Sequence, residues 1–497
     1  MKVIIIIILS VEAVFATVQD SAVKVGSKKF TESVILGEIA SQALSDGGVK
    51  TVHMRELGGT RILWSALLKG EIDVYPEYSG TIREEIFGGK LYSQMQLIDE
   101  LAKHGISMTK SLGFNNTYAI GMNREKSLEL SITKISDLAN FKILKFGFSN
   151  EFMDRKDGWP GLRTRYNLPQ VNVRGLDHDL AYRGLAAGTI DVIDLYATDA
   201  EIKYYNLTIL EDDRHYFPEY DAVFLYRTDL AKQKPQAVRI LVSLENRISA
   251  AYMIEMNAQA KLSRIPESQV ASKALWQMFG IRDNVKAQST ASSIAQRTFE
   301  HLRLVIIALF AAILLAVPTG IVAAKVKQIS KPVLGIAGII QTIPSLALLV
   351  FLIPLFGIGA LPAMIAIFLY SLLPIIRNTQ VGLDDVPIGI RESAIALGLG
   401  TLPRLWLVEL PMASGAILAG IKTSAVISVG TATLGAFIGA GGYGQSILTG
   451  IRLDNPGLIM QGAIPAAIMA LGVEGLFGLV EKAVVPRGLR LKTAAQK

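Results

Sequence analysis

The strongest constraint on this chain is a series of long apolar segments in its C-terminal part. Five such segments follow residue 301, at 304–324, 332–354, 358–376, 413–437 and 457–480. Each is close to the roughly 20 residues that an α-helix needs to cross a lipid bilayer. A soluble domain does not place so many apolar helices in so short a stretch. Residues 301–497 are therefore predicted to form an all-α membrane domain of five transmembrane helices.

The cations between these segments predict their orientation. Lysine and arginine side chains follow the first, third and fifth segments, as Lys325, Lys327, Lys331, Arg377, Arg391, Arg404, Lys482, Arg487, Arg490, Lys492 and Lys497. Loops rich in these cations remain in the cytoplasm. The start of the first segment, and the chain before it, is therefore predicted to lie outside the cytoplasm.

The N-terminus has the pattern of a secretory signal peptide. Lys2 precedes the apolar run Val3–Leu9, and Ala16 offers a small residue at a cleavage site. We predict a signal peptide at residues 1–16, with an uncleaved anchor as the alternative. In both cases the chain that follows is exported, in agreement with the orientation of the membrane segments.

Residues 23–278 are more polar and alternate between strand and helix patterns. Strand patterns occur at 23–26, 51–54, 72–75, 143–148, 171–173 and 190–195, and Ser33–Leu44 has the apolar spacing of a helix. This alternation predicts a soluble α/β domain with mostly parallel sheets covered on both faces. Ligands of such sheets bind at loops beyond the carboxyl ends of the strands. The polar stretch 279–300 is predicted to be a linker.

The composition excludes several function classes. The chain has no cysteine, so disulfides, thiolate nucleophiles and cysteine-based zinc sites are impossible. Its net charge is +7, but many of the cations flank apolar segments, so we expect no nucleic-acid partner. The five histidines are scattered and no hydrolase or metalloprotease motif is present. We therefore expect a chain that is not an enzyme and that needs no cofactor or metal.

The loop between the third and fourth apolar segments carries the most specific motif. Within residues 377–412, Glu392-Ser393-Ala394 is followed by Leu397-Gly398 and then by Leu410-Pro411, with Gly420 beyond. This pattern resembles the EAA loop of ABC importer permeases, with Ser393 in place of the usual alanine. The resemblance implies a short coupling helix that docks on an ATPase subunit through Glu392, Ser393, Ala394, Leu397 and Gly398.

No phosphate-binding loop of the Gly-x-x-x-x-Gly-Lys-Ser/Thr type occurs in the sequence. The ATPase is therefore expected to be a separate subunit. The family implies two copies of it, and hence a homodimer of this chain.

The soluble domain resembles the osmoprotectant-binding proteins for glycine betaine, choline and carnitine. The matching segments are 26–32, 72–81, 115–119, 151–158, 194–199 and 217–220, and in the membrane domain 341–346. The resemblance implies the two-lobed periplasmic-binding-protein fold of type II, in which the lobes close over the ligand.

A quaternary ammonium ion has no N–H to donate, so aromatic rings hold it through cation–π attraction. The resemblance implies a cage of Tyr78, Tyr118, Tyr196 and Tyr220, with Tyr75 a weaker candidate. A betaine also carries a carboxylate. The residues considered as its partners are Ser27, Lys28, Thr60, Arg61 and Arg155.

Several alternatives remain open at this stage. Ergothioneine, a histidine-derived betaine, fits the same cage. An amino-acid ligand would need a carboxylate for its ammonium group, such as Asp73 or Glu77. A ligand-gated channel or sensor would have no use for the EAA-like loop. Glu474, in the fifth apolar segment, is either functional or a helix-packing contact.

Overall fold

The computed structural model describes residues 22–89, 93–281, 289–453 and 455–486. The predicted signal peptide lies outside these residues. The chain divides into two compact units, with the division between residues 287 and 288.

The first unit is an α/β domain built on ten strands. These are β1 Val23–Gly26, β2 Thr51–Met54, β3 Val74–Tyr78, β4 Ile106–Met108, β5 Tyr118–Asn123, β6 Phe146–Ser149, β7 Val173–Leu176, β8 Val192–Tyr196, β9 Leu207–Leu210 and β10 Ala222–Arg227. Its helices are α1 Thr31–Asp46, α2 Thr60–Leu68, α3 Gln94–Lys103, α4 Arg124–Leu130, α5 Asn150–Asp154, α6 Trp159–Tyr166, α7 His178–Ala186, α8 Glu201–Tyr204, α9 Thr228–Gln233, α10 Pro235–Ser243, α11 Ala250–Lys261 and α12 Glu267–Phe279. A short helix Ser79–Thr81 continues into a π-helical turn, Ile82–Ile86.

The strands form two five-stranded sheets, one in each lobe. The first lobe has the order β2-β1-β3-β10-β4, and the second has the order β7-β6-β8-β5-β9. β1, β2 and β3 run parallel, as do β6, β7 and β8. The sheets are less parallel than predicted because β10 and β5 run antiparallel to both of their neighbours.

The two antiparallel strands arise from the path of the chain between the lobes. The chain leaves the first lobe after β4 and enters the second as β5, and it returns from β9 to the first lobe as β10. The two crossing segments are joined to each other by an antiparallel bridge between Asn115 and Asp221. β5 and β10 each begin at the crossing and run antiparallel to their neighbours. Their N-terminal ends therefore lie at the same sheet edges as the carboxyl ends of the parallel strands.

The strand predicted at 72–75 lies two to three residues further along, at Val74–Tyr78. Pro76, which cannot donate a ladder hydrogen bond, lies inside the strand. Its neighbour β1 reaches only Val74, so no ladder partner on that side needs the missing N–H of Pro76. The whole strand is buried, including its polar residue Glu77.

The second unit is helical. Its helices are α13 Thr290–Lys325, α14 Lys327–Thr342, α15 Ser345–Phe356, α16 Ala360–Asp384, α17 Ile388–Ala396, α18 Thr401–Arg404, α19 Leu410–Ala432, α20 Tyr443–Arg452 and α21 Pro456–Val484. By length and composition, four helical segments among the described residues can cross a membrane: α13, α16, the segment Thr401–Ile438 that contains α19, and α21. They coincide with four of the five predicted apolar segments.

The second predicted apolar segment is not one straight helix. It corresponds to α14 and α15, which meet at an angle of 98°. The bend lies at Ile343 and Pro344, where Ile343 has the extended backbone (φ −66°, ψ 126°) that a residue before proline prefers. The pair counts as a fifth span only if both helices are taken as one broken span.

Small residues allow α13, α16 and α19 to pack closely. A side chain at Gly320 would lie 2.6 Å from Thr379, and one at Gly420 would lie 2.7 Å from Asn378. Ser371 and Ser428 form a buried hydrogen bond of 3.1 Å between α16 and α19. Close backbone approach and interhelical hydrogen bonds are the forces available to helices in lipid, where burial from water contributes nothing.

Candidate functional site

Four tyrosines reach the facing edges of the two sheets because of the strand topology. Tyr78 ends β3 and Tyr196 ends β8, both at the carboxyl ends of parallel strands. Tyr118 begins β5, and Tyr220 lies two residues before β10. Since β5 and β10 run in the opposite direction, their first residues lie at the same edges as the last residues of β8 and β3.

These residues surround one cavity between the lobes. The residues that line it are Lys28, Phe30, Tyr78, Thr81, Asn116, Tyr118, Glu151, Arg155, Tyr196 and Tyr220. Tyr118 is central, since its ring centroid lies 5.1 Å from that of Tyr196 and 5.6 Å from that of Tyr220. Phe30 bridges the remaining rings, at 5.8 Å from Tyr196 and 6.2 Å from Tyr78. The cavity thus has aromatic walls on several sides.

Two of the four tyrosines donate their hydroxyl protons to buried carboxylates. Tyr78 donates to Glu32 and Tyr220 donates to Asp157, each at 2.6 Å. Burial raises the pKa of Tyr118 and of Tyr220 above the ordinary value, so that these phenols stay neutral. The hydrogen bonds fix the rings of Tyr78 and Tyr220 in position.

A buried ion pair forms another part of the wall. Nζ of Lys28 lies 2.5 Å from Oε1 of Glu77, and both side chains are almost fully buried. Burial raises the pKa of Glu77, and the ammonium group of Lys28 opposes that effect. The same ammonium lies 5.6 Å from the ring centroid of Tyr78, a distance typical of cation–π attraction.

Arg155, from the second lobe, also lines the cavity. Its Nε donates to Asp157 at 2.8 Å and its second terminal nitrogen bonds the other oxygen of the same carboxylate, so that the pair is a bidentate fork. A further terminal nitrogen donates to Glu85, at 2.9 Å. The guanidinium carbon lies 5.5 Å from the ring centroid of Tyr118. Arg155 therefore joins the second lobe, which carries it, to Glu85 of the first.

His178 packs against the ring of Tyr196 but does not line the cavity itself. The imidazole ring lies 4.6 Å from the ring of Tyr196, centroid to centroid, and its Nε2 lies 3.0 Å from Asp199. Burial favours the neutral ring, but the carboxylates of Asp199 and Asp194 together outweigh it and raise the pKa of His178 to about 9. Asp199 also accepts the backbone N–H of Tyr196 at 2.9 Å. A charged network thus positions one wall of the cavity.

Six of the eight residues predicted to bind ligand line this cavity, and two do not. Ser27 is fully buried and its hydroxyl lies 2.9 Å from Nε2 of His53. Thr60 is buried at the start of α2. Of the residues considered less strongly, Tyr75 is fully buried in β3, and Arg61 is exposed and pairs with Glu85 at 3.4 Å.

Sequence reasoning did not single out four of the lining residues, which are Phe30, Thr81, Asn116 and Glu151. All four belong to the segments that carry the resemblance to osmoprotectant-binding proteins. The signal was therefore present in the sequence. Selecting tyrosines alone missed it.

The EAA-like motif forms a helix of its own, α17. Gly398 has φ of +80°, its N–H donates to the carbonyl of Ile395 at 2.9 Å, and the N–H of Leu399 donates to that of Ala394 at 3.1 Å. This pair of bonds is the Schellman motif that ends helices at a glycine. Ala394 is buried, and the apolar side chains of Ile388 and Leu397 are 71% and 81% exposed.

A buried carboxylate lies behind this helix. Glu409 is 1% exposed and pairs with Lys325, with Arg404 at 3.3 Å and with Arg391 at 3.9 Å. These cations come from the end of α13, from α18 and from α17. Glu409 therefore connects the EAA-like helix with the end of the first membrane helix.

Glu474, in α21, pairs with Lys422 of α19 at 3.0 Å. The two side chains are 58% and 36% exposed. The helix-packing contact considered from the sequence is thus present as an ion pair. Among the described residues, no group of three or more histidine, aspartate or glutamate side chains is arranged to hold a metal ion.

Two family models match the chain, one in each unit. The model described as the substrate binding domain of ABC-type glycine betaine transport systems matches residues 21–277. The model described as the binding-protein-dependent transport system inner membrane component matches residues 316–487.

Known relatives agree with the match in the second unit. The choline transport system permease protein OpuBB of Bacillus subtilis is 41% identical over 206 residues, covering 41% of this chain and 95% of the relative. The osmoprotectant import permease protein OsmW of Salmonella typhimurium is 42% identical over 205 residues, covering 40% of this chain and 95% of the relative. The crystal structure of a glycine betaine/carnitine/choline ABC transporter is 26% identical in sequence and covers 51% of this chain and 98% of that one, with a TM-score of 0.44. The chain therefore belongs to the family of substrate-binding domains of ABC-type glycine betaine transport systems, and the same polypeptide carries the inner membrane component of such a system.

Proposed function

We propose that this chain binds and imports a small quaternary-ammonium solute such as choline, glycine betaine, carnitine or ergothioneine. The observation that supports this most directly is the aromatic cavity formed by Phe30 and the four tyrosines. Cation–π attraction contributes about 0.5–2 kcal/mol per ring, with the larger values at desolvated sites. Relatives of the membrane domain are named for choline, carnitine and glycine betaine transport. Tyr78, Tyr118, Tyr196 and Tyr220 are the proposed cage.

The charges around the cavity also favour a cation. Lys28 and Arg155 are both engaged by carboxylates, the first by Glu77 and the second by Asp157 and Glu85. Glu151 adds a further carboxylate to the lining. A cation that enters this cavity meets an excess of negative charge, which lowers its free energy relative to a neutral molecule. A betaine carboxylate would have to bind beside Lys28 or Arg155, and Ser27 and Thr60 stay more distant candidates.

We further propose that a separate ATPase drives transport. Two ATPase subunits would act on a homodimer of this chain and dock on α17 through Glu392, Ser393, Ala394, Leu397 and Gly398. The exposed apolar side chains at both ends of α17 fit a docking surface, because such side chains are otherwise unfavourable in water. An amino acid remains the alternative cargo, since fold alone does not decide the ligand.

The chain is a component of the inner membrane, and its binding domain faces away from the cytoplasm. As proposals we retain the signal peptide at 1–16, the binding domain at 23–278, the linker at 279–300 and the membrane domain at 301–497 with its coupling loop near 377–412. In this scheme, ligand closes the two lobes, and ATP binding and hydrolysis then move the solute inward.

The proposal is tested by calorimetric titration of the full-length chain in lipid nanodiscs with choline, glycine betaine, carnitine and ergothioneine. We expect tight binding of at least one of them, and its loss in Tyr118→Ala. Tyr204→Ala is the matched control, because Tyr204 is 63% exposed and does not line the cavity. Binding of an amino acid with no response to the four solutes would overturn the cargo assignment and leave the importer family unchanged.

A further inference from the structure

Glu32 accepts hydrogen bonds from four side chains in different parts of the domain. It lies in the first turn of α1 and is 3% exposed. The donors are Tyr78 at 2.6 Å, Thr198 at 2.5 Å, Asn116 at 2.9 Å and Asn257 at 3.0 Å. Thr198 belongs to the second lobe, Asn116 to a crossing segment, and Tyr78 and Asn257 to the first lobe. Glu32 is therefore surrounded by donors from both lobes while touching a residue of the cavity wall.

The hydrogen-bond partners of Glu32 favour its ionised form. A carboxylate can only accept hydrogen bonds, and the amide nitrogens of Asn116 and Asn257 that reach it can only donate. Tyr78 and Asn116 contact one oxygen, and Thr198 and Asn257 contact the other. Both oxygens are thus satisfied without a proton on the carboxylate. Burial, together with the nearby carboxylate of Asp199, raises the pKa of Glu32 above its ordinary value, and the hydrogen bonds from Thr198, Tyr78 and Asn257 limit that rise.

Glu32 differs from Glu77 and Asp157 in that no cation pairs with it. Glu77 pairs with Lys28, and Asp157 pairs with Arg155. Within the part of the chain that the structure describes, no lysine, arginine or histidine forms an ion pair with Glu32. Only neutral hydrogen-bond donors stabilise its negative charge. Because the protein interior has a low dielectric constant, electrostatic interactions with this charge are stronger there than in water.

Through its hydrogen bond with Tyr78, the negative charge of Glu32 polarises a ring of the cavity wall. A phenol that donates to a carboxylate shifts electron density toward its oxygen and ring, and hydrogen bonds to charged groups are roughly twice as strong as neutral ones. Cation–π attraction is electrostatic and depends on the negative potential of the ring face. We propose that Glu32 is a specificity-determining residue that makes the ring of Tyr78 a stronger cation acceptor, so that the cavity selects a cation over a neutral molecule of the same shape. This inference rests on the proposed function and concerns the same cavity.

The experiment compares a quaternary-ammonium ligand with the analogue in which a carbon atom replaces the positively charged nitrogen. Choline is paired with 3,3-dimethyl-1-butanol and glycine betaine with 3,3-dimethylbutanoate, and carnitine and ergothioneine are each paired with the corresponding tert-butyl analogue, according to which ligand the wild type binds. Displacement of the radiolabelled cation from the full-length chain in nanodiscs reports both affinities. In Glu32→Gln we expect the preference for the cation over its isostere to fall about tenfold, because one cation–π contact is weakened.

Tyr78→Phe provides a second, independent variant. It removes the hydroxyl that links the ring to Glu32 but leaves the ring in the wall. The preference for the cation should fall in Tyr78→Phe as well, and adding Glu32→Gln to it should lower the preference little further. Because Tyr78→Phe is a small change, it keeps the test decisive if Glu32→Gln fails to fold.

Three results are distinguishable. Failure of the wild type to bind any of the four cations would reject the proposed function itself. Equal weakening of the cation and of its isostere in both variants would show that Glu32 only holds the lobes together, and would overturn the inference. A fall in preference in both variants, without additivity, supports it.

Discussion

The guanidinium group of Arg155, in the second lobe, donates to Oε2 of Glu85, in the first lobe, at 2.9 Å. Arg155 is at the same time held by Asp157 of its own lobe. The side chains of Arg155 and Glu85 are 7% and 16% exposed. Closure of the lobes therefore forms an ion pair that is shielded from water, and the geometry of that pair depends on how far the lobes have closed.

We predict that Glu85→Gln weakens ligand binding by roughly tenfold, because the closed form loses one partner of a largely buried charge pair. Calorimetric titration measures the affinity, and small-angle scattering of the liganded chain should show a larger fraction of open lobes. Arg61→Gln is the matched control, since Arg61 also pairs with Glu85 but is 86% exposed, and exposed pairs contribute little. Equal effects of the two variants would contradict a role of the Arg155–Glu85 pair in closure.

The Lys28–Glu77 pair is predicted to discriminate between betaines and choline. The double variant Lys28→Met/Glu77→Gln removes both charges, so that no single buried charge is left unpaired. We expect the affinity for glycine betaine to fall about tenfold, because its carboxylate loses the ammonium group of Lys28 as a partner. The affinity for choline, which has no carboxylate, should change little. Parallel titrations of the two ligands measure this. An equal loss of affinity for glycine betaine and for choline would show that the Lys28–Glu77 pair only stabilises the fold.

The stability of the binding domain is predicted to fall in alkaline solution because of His178. Its pKa is raised from 6.5 to about 9 in the folded state. The protonated ring therefore contributes stability that is fully present below about pH 6.5 and is lost as the pH rises through about 9. The full effect is roughly 3 kcal/mol. Thermal unfolding of the full-length chain between pH 6 and pH 9.5 should show this decline.

His178→Gln should remove most of that pH dependence, while His104→Gln, at an exposed position on α3's C-terminal side, should leave it unchanged. A decline of the same size in His178→Gln would assign the effect to another group.

The end of the coupling helix provides a test of the ATPase-docking proposal. Gly398 has φ of +80°, where an L-residue costs roughly 1–2 kcal/mol. Gly398→Ala should therefore distort the end of α17 and reduce ligand-stimulated ATP hydrolysis in the complex with the ATPase, without changing ligand affinity. Gly389→Ala is the control, because Gly389 lies in the same helix and a side chain there meets nothing within 4 Å. Normal ATP hydrolysis in a folded Gly398→Ala complex would argue against the coupling role.

Local sequence patterns were sufficient for most of the fold. The strand at Val23–Gly26 and the helix around Ser33–Leu44 follow from apolar spacing, and four membrane helices follow from length and composition. The bend at Ile343 was also accessible, since Pro344 restricts the residue before it. It was missed because hydropathy alone merges the two helices into one apolar run.

The candidate site was only partly predictable for a different reason. The tyrosines could be placed because they lie beside strand ends within recognisable segments. The role of Glu32 could not, since its hydrogen-bond donors lie 46 to 225 residues away along the chain. Only the folded arrangement of both lobes brings such donors to one carboxylate.

The fusion of binding domain and membrane domain in one polypeptide has a consequence for how the cell can adjust uptake. Translation makes the two parts in a fixed one-to-one ratio, whereas a freely diffusing receptor can be produced in any excess over its membrane partner. Raising expression of this chain therefore multiplies complete uptake units and leaves the receptor supply of each unit unchanged. The solute concentration at which uptake is half-maximal is then set by the affinity of the cavity and by the turnover of each unit, and gene dosage changes only the maximal rate.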